Sequence, residues 1–469
     1  MLVESFSGVR GLVKEDLTDE IIKNYVISYS NFIKKTGNKI VLGMDTRPSS
    51  KKIKELMKKI FLEQGIDIID AGYNTTPAIQ NAIRNFKLKG GVMITASHNE
   101  PEYNGWKFMR DTGSVLEPKE IKEVIDNSKN PNSNPDKKGT QIDKEKEVKE
   151  SYIQFILDSI GREGIEAIKK AKLKVIFDPN GGAAAVLLKE LSEKLGLETI
   201  YKNMELGVFN RKIEPNEDSL AYLKDEIENT DADLGAGWDC DGDRVEIVLP
   251  DNSEFTKING RMLSGQYILA LITDEILSES KEKDNIVVIN DATSNLIIEI
   301  AEKYNAKVVE VETGEINVVR KMEELNAPVG GEGSSSGGIV PPSKCRDGIQ
   351  SLAIILKSMA KKEKKLTEIL NNFPQYFNSR FYPRCSPEVA VKLRKKLEEY
   401  WKDKAEEIKK TGDETGGLKI VLEDGWIWYR ASKTEAGVFR IITDAKSKKQ
   451  ADDLLEQGKK AFKECEANI

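Results

Sequence analysis

A single histidine, His98, occurs in 469 residues, so metal sites and relays that need several imidazoles, HExxH among them, cannot be assembled. Cysteine is almost as scarce: Cys240, Cys345, Cys385 and Cys465 lie far apart with no CxxC pair, a spacing that suggests neither a disulfide framework nor a zinc site. No stretch approaches the ~20 continuous apolar residues of a membrane helix. The N-terminal MLVESFSGVRGLVKEDLT also lacks a basic segment followed by an apolar core. Neither a membrane partner nor export is expected, and the reducing cytoplasm is the expected compartment. No charge sign dominates: 72 Lys+Arg against 78 Asp+Glu leave −6, which argues against a nucleic-acid partner and still permits local basic pockets for small anions.

What is present suits packed cores, since 39% of residues are hydrophobic against 32% charged. At roughly 150 residues per domain the length alone suggests about three domains. Short β-branched runs followed by Gly/Asn/Asp turns and amphipathic stretches recur, the pattern of an α/β chain. NKIVLGMD (38–45), GGVMITAS (90–97), LKVIFDPNGG (173–182), ADLGAGWDCDGD (232–243) and DNIVVINDATS (284–294) read as strands running into loops. In open α/β sheets ligands collect at such loops. The polar run from Asp126 to Lys149 reads as an exposed linker, placing a first domain at 1–155. A second is expected at 156–255 and a third at 256–370. A fourth, α+β unit at 371–469 opens on a helix-like run from Val389 to Lys410, has two strand candidates joined by a polar turn, and ends in a helix.

Four clusters carry chemistry. Thr95-Ala96-Ser97-His98-Asn99 stands at a strand end, with Lys107 one loop away; an exposed serine beside the only histidine is placed to carry a phosphoryl or acyl group, and the alternative is a polar turn with a capping serine. Asp239-Cys240-Asp241-Gly242-Asp243-Arg244 sets three carboxylates at alternating positions, which repel one another unless a hard cation sits among them, so a Mg²⁺ site is expected. A calcium hand fails, because Arg244 occupies its sixth position and Pro250 its twelfth. Gly330-Gly331-Glu332-Gly333-Ser334 and the glycines and serines after it, with Arg346-Asp347-Gly348 shortly beyond, contain a formal GxSxG, but no histidine follows residue 98 to complete a hydrolase. Glu332 beside hydroxyls suits sugar hydroxyls; a flexible Gly/Ser linker is the alternative. Finally, Arg430-Ala431-Ser432-Lys433-Thr434-Glu435-Ala436-Gly437, with Arg440 beyond it, reads either as a phosphate clamp or as a hairpin with solvated charges. Ser7-Gly8-Val9-Arg10-Gly11 and Asp45-Thr46-Arg47 add arginines in turns that mean little alone.

Taken in order, these clusters resemble the α-D-phosphohexomutase superfamily of phosphoglucomutases, phosphomannomutases and phosphoglucosamine mutases, over essentially the whole chain. SGVRG looks like its N-terminal arginine turn, TASHN its phosphoserine loop, DCDGDR its metal loop, GEGS its sugar-binding loop and RASKTE its phosphate-binding loop. LGVFNRKIEPNEDSL (206–220) looks like a further family segment ending in Glu-Pro. The resemblance implies three similar mixed-sheet α/β domains plus a C-terminal α+β domain around a central cleft. It also implies a hexose phosphate substrate, a phosphoserine at Ser97, a hexose 1,6-bisphosphate intermediate and activator, and Mg²⁺ on Ser97, Asp239, Asp241 and Asp243. Arg10, His98 and Lys107 would handle the hydroxyl proton and transferring oxygens; Arg244, Glu332, Ser334, Arg430, Ser432, Lys433, Thr434 and Arg440 would bind substrate. A monomer or small homo-oligomer is expected.

Departures from the family pattern are local. Glu100 replaces a usual proline, Cys240 and Lys433 replace small residues, Ala436 replaces a frequent proline, and Arg440 falls one residue late. GEGS does not choose among glucose, mannose and glucosamine phosphates. Two other readings stand beside this one: DxDG also fits haloacid-dehalogenase-like phosphatases with an aspartate nucleophile, and the altered loops would also suit a non-catalytic sugar-phosphate binder.

Overall fold

The computed structural model describes residues 2–5, 8–133, 137–251, 253–282, 284–433 and 437–469. The chain forms two compact units, residues 1–264 with 339–371, and residues 265–338 with 372–469.

The first unit holds two mixed sheets. In the seven-stranded sheet the order is Val3–Ser5, Gly8–Leu12, Tyr103–Arg110, Gly90–Ile94, Lys39–Met44, Asp67–Tyr73, Gln141–Asp143. Lys39–Met44 runs parallel to Asp67–Tyr73 and Gly90–Ile94, whereas Tyr103–Arg110 runs antiparallel to Gly90–Ile94, so residues 95–102 form the loop of a hairpin. Helices cover the sheet because their apolar stripes match it: Tyr29 of helix Asp19–Ile33 stacks on Phe108, ring centroids 4.3 Å apart, and its hydroxyl donates to the Met109 carbonyl at 2.6 Å. The five-stranded sheet runs Met262–Leu263, Val245–Val248, Leu234–Trp238, Lys174–Asp178, Glu198–Tyr201. Leu234–Trp238 is parallel to Lys174–Asp178 and antiparallel to Val245–Val248, with Trp238 opposite Val245, so residues 239–244 are again a hairpin tip.

In the second unit a four-stranded sheet runs Lys307–Val311, Ile286–Asn290, Val329–Gly331, Gly338–Ile339, and Ile286–Asn290 is parallel to its two neighbours. The last sheet is antiparallel throughout, ordered Phe377–Phe381, Phe439–Ala445, Gly425–Ala431, Leu418–Leu422, Glu407–Lys410. Helices Pro387–Trp401 and Lys448–Glu466 share its core through Leu393, Leu397, Leu454 and Phe462. The architecture is therefore three α/β sheets followed by an α+β unit, as the sequence implies. No helix among the described residues is long and apolar enough to cross a membrane.

All of the expected strands form, and three local expectations change. The polar run 126–149 is not one linker: it contains the edge strand Gln141–Asp143, whose backbone pairs with Ile68–Asp70, and the start of helix Glu145–Ala171. Its side chains are exposed, so apolar content gave no signal for a strand held by main-chain bonds at a sheet edge. The run 389–410 is helix only to Trp401 and then becomes strand Glu407–Lys410, which lies at an edge with a mostly charged sequence. The two strand candidates are three, because Glu423-Asp424 makes a two-residue turn between Leu422 and Gly425.

Helix Gly348–Lys362 starts at a buried cap. Asp347 Oδ1 accepts the backbone N–H groups of Ile349 (3.1 Å) and Gln350 (2.9 Å), and the hydroxyl of Tyr152 from helix Glu145–Ala171 at 2.7 Å. Burial pushes the carboxyl up to about 6, against the pull of those hydrogen bonds. The folded chain thus holds a proton that an unfolded Asp releases near ~3.9. Between about pH 4 and 6 the native state binds more protons, and its stability falls as pH rises through that window, by on the order of 3 kcal/mol at most. Asp347→Asn should lack this term, so urea unfolding followed by tryptophan fluorescence should show wild type losing stability relative to the variant from pH 4 to 7. Parallel curves would count against an ionisable cap.

Candidate active site

In the first unit the two hairpin tips meet. Ser97 lies just past strand Gly90–Ile94 with φ of 52°, a left-handed conformation that costs a non-glycine residue about 1 kcal/mol or more and persists only where surroundings enforce it. The enforcement is visible. Ser97 N–H donates to Thr95 Oγ1 at 2.8 Å, and Arg47 gathers the loop's carbonyls: Nη2 donates to the oxygens of Ser97 (2.6 Å) and Asn99 (2.5 Å), and Nη1 to those of Glu100 (2.7 Å) and Tyr103 (3.1 Å). Arg47 is itself buried and paired through Nε with buried Asp45 at 3.0 Å. Ser97 Oγ then donates to Asp239 Oδ2 at 3.1 Å and stands 3.5 Å from His98 Nδ1.

Asp239, Asp241 and Asp243 are all buried, and their oxygens come within 4.8 Å of one another. Gly242, at φ of 70°, lets the loop turn this tightly, and a Cβ there would sit 2.7 Å from Thr75 Cγ2. Helix Thr76–Asn85 meets the loop at its start: Thr76 N–H donates to the Asp241 carbonyl at 2.9 Å and its hydroxyl to Asp241 Oδ2. Lys107, on the return strand of the serine hairpin, donates to Asp241 Oδ2 (2.7 Å) and Asp243 Oδ2 (2.8 Å). Arg346 stands 3.7 Å from Asp243 Oδ1.

These placements set the charges. Burial, then repulsion from Asp241 and Asp243, pushes Asp239 well above the carboxylate range. Burial raises Asp243 too, but Lys107, Arg346 and Arg244 outweigh it and hold it below that range. Burial disfavours the Lys107 ammonium, yet Asp241 and Asp243 more than offset this, so it stays charged. His98 is held down to about 2, first by repulsion from Arg244, then by burial and Arg10, and is neutral at physiological pH. Asp241 Oδ1 and Asp243 Oδ1 are buried without a hydrogen-bond partner. A cluster of buried carboxylates with oxygens left over is a donor set for a hard divalent cation, so the residues fit the metal that the sequence implies.

Arg10, Ser97, His98, Lys107, Asp239, Asp241, Asp243 and Arg244 therefore share one site. Arg10 donates to Asn99 Oδ1 at 3.3 Å, and Arg244 pairs with Glu214, which also stands 3.7 Å from His98 Nδ1. Ser7, next to the arginine turn, lies outside the described residues.

The remaining candidates lie in the second unit. Glu332 follows strand Val329–Gly331 and is buried, its Oε1 accepting from Asn290 Nδ2 and Gly314 N–H, both at 2.8 Å. Ser334 is exposed beside it. Arg430 and Arg440 face each other on paired strands; Arg440 Nη2 donates to Ser432 Oγ at 3.1 Å, and Arg430 and Lys433 both reach Glu312 Oε1. Thr434, with Ala436, lies outside the described residues. The structure adds partners that sequence reasoning missed: Arg47, Thr76, Glu214, Arg346 and Glu312. Arg47, Glu214 and Arg346 sat in segments already singled out, but the loop carbonyls that Arg47 grips and the side chains that Glu214 and Arg346 meet lie far along the chain and gave no local signal.

Models of the phosphoglucomutase/phosphomannomutase α/β/α domains I, II and III match residues 4–134, 150–252 and 264–377. The chain is 33% identical over 467 residues to a phosphoglucomutase/phosphomannomutase of Thermococcus kodakarensis, covering 98% of each. It is 30% identical over 464 residues to a probable phosphoglucosamine mutase of Pyrococcus abyssi, covering 98% of this chain and 97% of that one. The crystal structure of a phosphoglucomutase/phosphomannomutase family protein from Burkholderia thailandensis has the same fold, with a TM-score of 0.82 at 20% identity over 98% and 97% of the two chains.

Arg47→Met should strand buried Asp45 without its counter-charge and release four loop carbonyls. A loss of about 3–5 kcal/mol is expected, read as a lower urea midpoint. An unchanged midpoint would show that the loop is held by something else.

Proposed function

The chain belongs to the α-D-phosphohexomutase superfamily, and from that membership we propose that it interconverts hexose 1-phosphates and hexose 6-phosphates of the glucose and mannose type through a phosphoserine at Ser97 and a hexose 1,6-bisphosphate. The observation that carries this reading is Ser97 Oγ, 3.1 Å from Asp239 at the meeting of two hairpin tips, beside the buried Asp241 Oδ1 and Asp243 Oδ1, which accept no hydrogen bond. A serine so placed is a phosphoryl carrier whose charge, about −1.5 to −2, needs neutralising, and phosphoryl transfer asks mainly for positioning and charge balance.

Phosphorylated Ser97 gives its phosphoryl group to the free hydroxyl of a bound hexose phosphate: the bond to Ser97 Oγ breaks as the bond to the sugar oxygen forms, and the hydroxyl proton leaves. The bisphosphate then turns and returns its other phosphoryl group to Ser97. Arg10, His98 and charged Lys107 handle the hydroxyl proton and the transferring oxygens; His98 is neutral there, and Arg244 and Arg10 keep its imidazole weakly basic. Mg²⁺, held by Asp239, Asp241, Asp243 and the serine's phosphate, would supply the charge neutralisation. Glu332 and Ser334 hold sugar hydroxyls, and Arg430, Ser432, Lys433, Thr434 and Arg440 hold the phosphate that is not reacting, with Arg244 an additional substrate contact. A cytoplasmic setting suits the four free thiols.

Phosphoglucosamine is the second substrate reading, favoured by the relative from Pyrococcus abyssi named as a probable phosphoglucosamine mutase. An aspartate nucleophile at Asp239 is disfavoured by the match of the chain to phosphoglucomutase/phosphomannomutase domains I, II and III, which leaves the haloacid-dehalogenase-like reading without support.

³¹P NMR with Mg²⁺, a trace of hexose 1,6-bisphosphate and glucose, mannose or glucosamine 1-phosphate in separate tubes should show conversion to the 6-phosphate and rank the sugars. Inorganic phosphate released without isomerisation would sink the mutase reading. Ser97→Ala should lower kcat about 10³-fold or more while leaving the circular dichroism spectrum intact. Mg²⁺ should raise the unfolding temperature of wild type, and Asp241→Asn should lose most of that shift; an equal shift in both would remove Asp241 from the metal site.

A further inference from the structure

Arg430 and Arg440 stand opposite each other on strands Gly425–Ala431 and Phe439–Ala445, an arrangement of like charges that is unfavourable without an anion nearby. Next to them the chain supplies one of its own. Glu312 Oε1 accepts from Arg430 Nη2 at 2.8 Å and from Lys433 Nζ at 2.6 Å. Arg430 is almost wholly covered, at 6% exposure, and Glu312 is 16% exposed, so this contact is not a loose surface pair.

The backbone around Glu312 is fixed at several points. Asn317 Nδ2 donates to the Glu312 carbonyl at 3.2 Å, and Thr313 donates to Asp291 Oδ1 through N–H (3.2 Å) and hydroxyl (2.9 Å). Gly314 N–H donates to Glu332. On the carboxylate's other side Gly412, at φ of 64°, leaves room that a side chain would take, since a Cβ there would lie 2.3 Å from Glu312 Oε2. The three-residue run Glu312-Thr313-Gly314 thus touches the clamp at one end and the sugar-binding glutamate at the other.

We propose that Glu312 is an internal counter-anion of the phosphate clamp, leaving Arg430 and Lys433 when a substrate phosphate arrives and returning to them when it departs. The inference rests on the mutase reading and extends it. A carboxylate and a phosphate dianion compete for the same two cations, so affinity at this clamp is set by the difference between them. A bisphosphate has to let go of the clamp and present its other end. Glu312 re-pairs the cations at that moment, so release does not leave a covered guanidinium without a partner. The same competition keeps inorganic phosphate from holding the clamp.

Glu312→Gln keeps the shape and removes the competitor. Kinetics of the full chain should show KM for hexose 1-phosphate and Ki for inorganic phosphate both lower by roughly three- to tenfold. Inorganic phosphate should also raise the variant's unfolding temperature more than it raises that of wild type. A residue that merely braced the clamp would give the opposite sign, so unchanged or raised constants with no larger thermal shift would overturn the proposal. If wild type turned over no hexose phosphate, the mutase reading would fall by itself, and the thermal shift with inorganic phosphate would still decide on Glu312. Glu312→Asp, which keeps the charge but withdraws it, serves if the Gln variant does not fold, with the same direction expected.

Discussion

Burying three carboxyl groups in one six-residue hairpin tip is the constraint around which the first compact unit is arranged. Such a cluster is tolerable only if each neighbouring element brings a donor or a positive charge. Lys107 comes from a strand whose register with Gly90–Ile94 is fixed, and Thr76 from the first turn of a helix capped by Thr75. Arg346 comes from the residue before a capping aspartate that Tyr152 holds from another helix. The polar network is thus a load shared among secondary-structure elements, and the serine enters it through one hydrogen bond to Asp239.

The second unit obeys the same rule with the sign reversed. Arg430, Lys433 and Arg440 concentrate positive charge at one end of an antiparallel sheet, and Glu312 answers part of it. The overall charge of −6 averages over an acidic cluster and a basic one and hides both. Composition therefore argued against broad classes of partner and said nothing about where the acidic and basic clusters lie.

Legibility in the sequence followed distance along the chain. The serine loop and the aspartate loop could be read because the residues that define them are contiguous, and the buried β-branched runs around them announce strands. Arg47 could not, since its partners at 97, 99, 100 and 103 are about fifty residues away and are backbone oxygens, which carry no residue identity. Glu312 is more remote still from Arg430, and nothing near it marks it as an ion-pair partner. Edge strands such as Gln141–Asp143 were missed for a different reason: main-chain pairing holds them, and their exposed side chains look like those of a loop.

The guanidinium of Arg47 grips the serine loop by its carbonyls alone. A clamp of that kind is indifferent to which side chains project from the loop. Glu100, whose side chain is exposed, contributes only its main-chain oxygen to the grip. Loop shape and loop sequence are thereby separated: drift at position 100 alters what faces solvent while the backbone that presents Ser97 stays in place, so the surface beside Ser97 is free to diversify without redesign of the loop beneath it.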